Sequence, residues 1–171
     1  MRHLLRIAGL VAGVGLVLLG GPALTPAAGP APLPLTVDAS LVRSGEIGVE
    51  GAGLLVGAEV RPEPGGAARG RQGLVSQTSV PVDVTLQDVG PPTGWEEHLW
   101  LRIALGDAVI FHGPRSSLRQ TTSSPVRMAP GTRADVDVEV SLPPGAPDVH
   151  QGRRTDVRLL IASTPVPPAW A

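Results

Sequence analysis

Residues 134–163 read ADVDVEVSLPPGAPDVHQGRRTDVRLLIAS. Asp135, Asp137, Glu139 and Ser141 alternate with Val136, Val138, Val140 and Leu142, the period of two expected of a strand with one buried and one wet face. Pro143, Pro144 and Gly145 end the run, and a second strand-like run covers residues 155–162. Two such strands around a Pro/Gly turn place the chain among antiparallel β folds.

The same pattern recurs outward from this stretch. Leu33, Leu35, Val37, Ala39 and Leu41 alternate with Pro34, Thr36, Asp38 and Ser40; Val80, Val82, Val84 and Leu86 alternate with Pro81, Asp83, Thr85 and Gln87. Residues 54–60 and 125–128 are further short candidates. Residues 99–105 and 108–112 flank Gly106-Asp107 as a hairpin. Residues 61–73, with two Pro, four Gly and three Arg, read as a mobile loop, and residues 115–124 as a polar one. No segment holds a helical period; at most residues 94–99 make a single turn. Seven to eight short strands between Gly/Pro turns predict an all-β, antiparallel β-sandwich of jelly-roll or Greek-key type.

The organisation expected is residues 1–27 as a signal peptide, 28–34 as a Pro/Ala-rich leader, 35–163 as a single sandwich domain and 164–171 as a Pro-rich tail. Arg2, His3 and Arg6 precede 13 uncharged, mostly apolar residues, 7–19. That run is short of the roughly 20 a membrane-spanning helix needs, but it suits an export signal. Its removal leaves about 143 residues, enough for one domain with a core. Twelve arginines then face 15 acidic residues, a net charge of −3. A mildly acidic surface argues against a nucleic-acid partner. There is no cysteine, hence no disulfide and no lipid-anchoring thiol. The expected location is secreted, at the cell surface or in the extracellular matrix, with membrane contact only transiently through the signal peptide.

Three pieces, in order, carry a family resemblance. The first is residues 98–113, HLWLRIALGDAVIFHG, a strand, a Gly turn at Gly106 and a strand ending in aromatic-x-Gly at Gly113. The second is residues 128–142, MAPGTRADVDVEVSL, with the Pro130-Gly131 turn before the alternating strand. The third is residues 142–162, where a Leu142-Pro143 break and a Gln151-Gly152 pair precede the last strand. Together they resemble the TasA/camelysin family of exported bacterial proteins over the C-terminal half. The N-terminal half departs from that pattern: a Gly/Arg stretch near residues 61–73 replaces the family's Pro-Gly and Asn-rich segment.

The resemblance implies a secreted jelly roll, with fibre subunits of biofilm matrices among its relatives. In such fibres the N-terminal strand of one subunit completes the sheet of the next. Here Leu33, Leu35, Val37, Ala39 and Leu41 form the possible assembly strand, with another copy of the chain or another exported subunit as partner. The competing reading pairs this strand within its own domain, as sequence-adjacent elements usually do. Assembly through this strand predicts that the mature protein forms filaments and that deleting residues 28–41 abolishes them while leaving a folded domain.

Candidate chemistry is sparse. Camelysin-like relatives imply a metallopeptidase, but the H-E-x-x-H helix of zinc hydrolases is missing. Glu96, Glu97 and His98 stand next to a strand, where alternation would put Glu96 and His98 on one face, and His112 or His150 would have to complete a metal set. Ser116, Ser117, Ser123 and Ser124 lack a nucleophile elbow. Residues 51–57, GAGLLVG, lack the Lys-Ser/Thr ending of a phosphate loop. Asp135, Asp137 and Glu139 read as a solvated sheet face, and Arg153, Arg154 and Arg158 as its flanking charges, paired with Asp148 or Asp156. Trp100 falls on the face opposite Leu99 and Leu101, a possible contact for a protein or carbohydrate. No catalytic, metal or cofactor residue is assigned. The expected function is a non-enzymatic structural protein, with a monomeric secreted binding or adhesion module as the alternative and an exported metallopeptidase as a third reading.

Overall fold

The computed structural model describes residues 33–43, 47–50, 54–61 and 66–167. They all lie in one compact unit. The segment expected to be a signal peptide (1–27), residues 28–32 of the expected leader and residues 168–171 of the expected tail fall outside them.

Ten strands form two five-stranded sheets: β1 Leu35–Arg43, β2 Ile47–Val49, β3 Leu54–Val60, β4 Ala68–Ser76, β5 Val82–Asp88, β6 Trp100–Leu105, β7 Ala108–Pro114, β8 Val126–Met128, β9 Arg133–Ser141 and β10 Arg154–Pro165. One sheet runs β3-β1-β10-β5-β8 and the other β2-β4-β9-β6-β7. The fold is an all-β sandwich, as the alternation predicts. All eight strands expected from the sequence are present. β2 and β4 are additions, and β4 occupies ground read as a mobile loop. A six-residue helix, α1 Arg115–Gln120, also stands where a polar loop was expected. The single turn expected near residue 96 is a 3₁₀ turn, Glu96–His98. Among the described residues no helix is long and apolar enough to cross a membrane.

The core follows from the period of two. Leu35, Val37 and Ala39 of β1, Val82, Val84 and Leu86 of β5, and Val157, Leu159 and Ile161 of β10 point inward. From the other sheet they meet Leu74, Leu101, Ile103, Val136, Val138 and Val140. Leu118, fully buried, fixes α1 against this core. Trp95 is buried too, so the sparse aromatic content is partly spent on the interior.

The pairing is a nested hairpin. β6 pairs β7, β5 pairs β8 and β4 pairs β9, all antiparallel. β10–β5 and β6–β9 pairings, also antiparallel, join these rungs into sheets. That is the strand plan of a jelly roll, in which β3 and β10 are the outermost rung. They do not touch as a pair. β1 stands between them, antiparallel to β3 and parallel to β10. It is the one parallel pairing among the described strands, and a departure from the purely antiparallel expectation. Without β1 and the three-residue edge strand β2, the remaining order β3-β10-β5-β8 opposite β4-β9-β6-β7 is an eight-stranded antiparallel jelly roll.

The alternation makes a sharp prediction along β10. Leu159 is fully buried and Leu160, its neighbour, half-buried on the outer face. Leu159→Ala is expected to cost about 2–5 kcal/mol and Leu160→Ala less than about 1 kcal/mol. Urea unfolding midpoints of the two variants check this directly.

Candidate functional site

The site that stands out is the slot filled by β1. On one side Thr36 to Arg43 pair in register with Arg154 to Ile161 of β10; on the other Leu35 to Ser40 pair with Val60 to Leu54 of β3. Val56, Ala58 and Val60 stand opposite Ala39, Val37 and Leu35 in unbroken register, and a bulge at Leu55 separates them from the Ser40–Leu54 pair at the far end. Ladder bonding to strands on both sides satisfies β1's backbone, and Leu35, Val37 and Ala39 are wholly buried. Burying Leu35 and Val37 contributes roughly 1.5–3 kcal/mol each, against a total stability of about 5–15 kcal/mol for such a domain. A domain stripped of this strand and left unfilled is therefore not expected to stay folded, which corrects the expectation attached to deleting residues 28–41.

The ends of the slot are tied by polar contacts. The Thr36 amide donates to the Arg153 carbonyl at 2.9 Å. Arg154 Nε donates to Asp38 at 2.5 Å across the β1–β10 pair. Arg154 thus pairs with Asp38, not with Asp148 or Asp156. Asp148 instead accepts from the Gln151 side chain at 2.5 Å. Leu33, outside β1 and 60% exposed, lies over Gly152, whose positive φ of 64° and missing side chain leave it room. Leu41 is half-buried against the core.

β10 outruns its other neighbour. β5 accompanies it only from Leu159 to Pro165. Along residues 154–158 the edge away from β1 meets a buried charge cluster, not a strand. Arg115, the first residue of α1, has no exposed surface. Its Nε donates to Asp88 at 2.6 Å, Nη1 to the Thr155 hydroxyl at 2.8 Å, and Nη2 to the carbonyls of Pro91 at 3.0 Å and Asp156 at 2.9 Å. Asp88 in turn accepts from the amides of Gly90 at 2.8 Å and Arg158 at 3.3 Å. Arg119 lies 3.6 Å from the same carboxylate and donates to the Gly90 carbonyl.

The residues of the family-like motif are dispersed through turns and strands. Gly106 and Gly131 take positive φ at turns that flank the first end of β9, and the Gly106 amide donates to Asp135 at 2.8 Å. Pro130 begins the Gly131 turn. Gly113 lies in β7 opposite Leu101. Leu142 is buried, Pro143 accepts from the Ala146 amide at 3.0 Å, and Gln151 and Gly152 lead into β10. These positions shape the scaffold and do not converge on one point.

The chemical candidates are also separated. Glu96 turns back to accept from the amides of Thr93 and Gly94. His98 Nε2 lies 3.3 Å from Glu97. His112 meets the edge of Trp100, ring centroids 5.7 Å apart. His150 is fully buried with neither ring nitrogen hydrogen-bonded. No three His, Asp or Glu among the described residues are grouped to hold a metal ion. Ser116 and Ser117 are in α1, and the Ser123 hydroxyl accepts from the Leu86 amide at 2.9 Å.

On the outer face of β9, Asp137 and Glu139 are paired with Arg71 and Arg69 of β4, at 2.6 and 2.9 Å. The hydrogen bond to Asp137 raises the Arg71 pKa. The Arg side of this cross-strand ladder lies on β4, whose Gly/Arg composition carries no strand period. Together with Arg102 and Asp107 it borders an open depression of about 590 Å³. Trp100 lies beyond it, 36% exposed.

No protein-family model matches the chain, and no curated protein matches it.

Partial burial pushes the Glu96 carboxyl up, but its bonds from backbone amides, with the charge of Arg115, outweigh this and hold it below its usual range. A carboxyl with a lowered folded-state pKa stabilises above its unfolded value and loses that contribution as pH falls through the folded one. Glu96→Gln is thus expected to cost about 1 kcal/mol at pH 7 and less at about pH 3, in the direction in which the carboxyl's contribution is lost. Urea midpoints of both proteins at the two pH values test it.

Proposed function

We propose that this chain is an exported, non-enzymatic structural protein of the cell surface or extracellular matrix, a subunit that polymerises by exchanging β1. The observation that carries the reading is the guest position of β1, parallel to β10 inside an otherwise antiparallel jelly roll. Every contact β1 makes with β3 and β10 is available equally to its own chain and to a second copy. Exchange therefore preserves the buried surface and the ladder, and alters only the path of the connection. In the sequence only three residues, 44–46, separate β1 from β2, and a short connection favours exchange. Donation is head-to-tail, the type of contact that yields open filaments unless the rotation closes a ring. The charged start and apolar run of residues 2–19 support export, and the TasA/camelysin resemblance of the C-terminal half supports a matrix role.

The alternative, a monomeric binding or adhesion module, has its own supporting feature in the exposed Trp100 beside His112. One experiment separates the two. Thr36 of β1 and Glu59 of β3 are directly opposed, and the chain has no cysteine of its own. Oxidation of the Thr36→Cys/Glu59→Cys double variant is expected to give dimers and a higher ladder on a non-reducing gel when the mature protein is concentrated first. Monomers carrying only an internal disulfide, at every concentration, would establish the monomeric reading.

A further inference from the structure

We infer that Arg115 and Asp88 are positioning residues of the β1 slot: they take the place of a missing strand and hold the receiving edge of β10 in shape. The inference rests on reading the slot as an assembly site, but its test does not need a polymer.

Residues 154–158 are the half of β10 opposite Thr36 to Ser40 of β1, and no strand lies on their far side because β5 ends at Asp88. A strand supported on one edge only, and by a neighbour that is itself exchanged, would lose its shape each time that neighbour left. The buried cluster prevents this. Arg115 Nη2 holds the Asp156 carbonyl and Nη1 the Thr155 hydroxyl. Asp88 holds the Arg158 amide, and the Val89 amide donates to the Arg158 carbonyl at 2.8 Å. Contacts to the Asp156 carbonyl and to the Arg158 amide and carbonyl thus stand in for a ladder where there is no strand, and the Thr155 hydroxyl adds a side-chain tie. A planar guanidinium can do this because its donors leave in fixed directions. Gly90 permits it: a Cβ there would sit 2.7 Å from both Arg115 Nη2 and the Asp156 carbonyl.

Stability alone does not call for such a cluster, since a buried ion pair is often matched or bettered by apolar side chains of similar volume. What the pair supplies is a defined geometry. Thr155 makes the link to the slot explicit: its hydroxyl is held by Arg115, and Val37 of β1 is its register partner. Both Arg115 and Asp88 lie wholly inside, with no exposed side-chain surface.

Amide hydrogen exchange on the full mature chain tests this, comparing wild type with Arg115→Met and the milder Thr155→Val. The expected result is faster exchange, by about tenfold or more, confined to residues 154–158 and 36–40, with β6 and β9 of the other sheet unchanged. Thr155→Val removes one acceptor from the cluster, so its result decides the matter if Arg115→Met does not fold. Equal acceleration in both sheets would reduce the pair to global stabilisation and overturn the inference, as would no change at all. Exchange reports the slot whether its own strand or a neighbour's fills it. A chain that never polymerises, yet whose variants exchange faster at residues 154–158 and 36–40, therefore removes the assembly reading and leaves Arg115 and Asp88 as the support of β10 beside its own β1.

Discussion

The structure depends on the hydrogen-bonding of two strand edges that face each other without meeting. In the nested hairpin, three rungs close directly: β6 with β7, β5 with β8, β4 with β9. The outermost, β3 and β10, leaves a gap one strand wide, and β1 fills it on both sides. Unpaired backbone groups at a sheet edge are a template for another strand, so the gap must be filled. The fully buried Leu35, Val37 and Ala39 add the apolar half of the same requirement. Which chain fills it is a separate question, since the ladder and the pocket are indifferent to the connection.

The surroundings of the slot fit this constraint. On the β3 side Leu35 to Ala39 pair in unbroken register with Val60 to Val56, and the bulge comes only beyond them. On the β10 side the residues beyond β5 are held by Asp88 and Arg115. The outer surface carries ion pairs across strands, Arg154 with Asp38 and Arg71 with Asp137 among them. Exposed pairs of this kind contribute little to stability, and like the turns at Gly106 and Gly131 they shape the sandwich more than they mark a site.

Half-buried strands were legible in the sequence because burial on one face writes a period of two. Residues 134–142 and 80–87 are the clearest cases. β4 was not, for a steric reason. At Gly70 a Cβ would stand 1.7 Å from the Leu55 carbonyl, so a glycine replaces the apolar residue the alternation needs, and Arg69, Arg71 and Gln72 complete the look of a loop. β2, at three residues, is too short to write any period. α1 has six residues and one buried leucine, likewise too few for a helical pattern. Arg115 reads as a surface charge, because nothing local reports that Asp88, Thr155 and Asp156 meet it. The candidate strand itself was legible, with its boundary shifted from Leu33 to Leu35. Its parallel partner was not, since alternation identifies a strand and is silent about its neighbour.

The claim that reaches furthest is that the slot between β3 and β10 is filled from a neighbouring copy when the mature protein assembles. Electron cryo-microscopy of concentrated mature protein tests it most directly. The account predicts fibres in which the strand between β3 and β10 connects through residues 44–46 to β2 of the adjacent subunit. Dispersed single domains, or fibres in which that strand returns to its own β2, would contradict it.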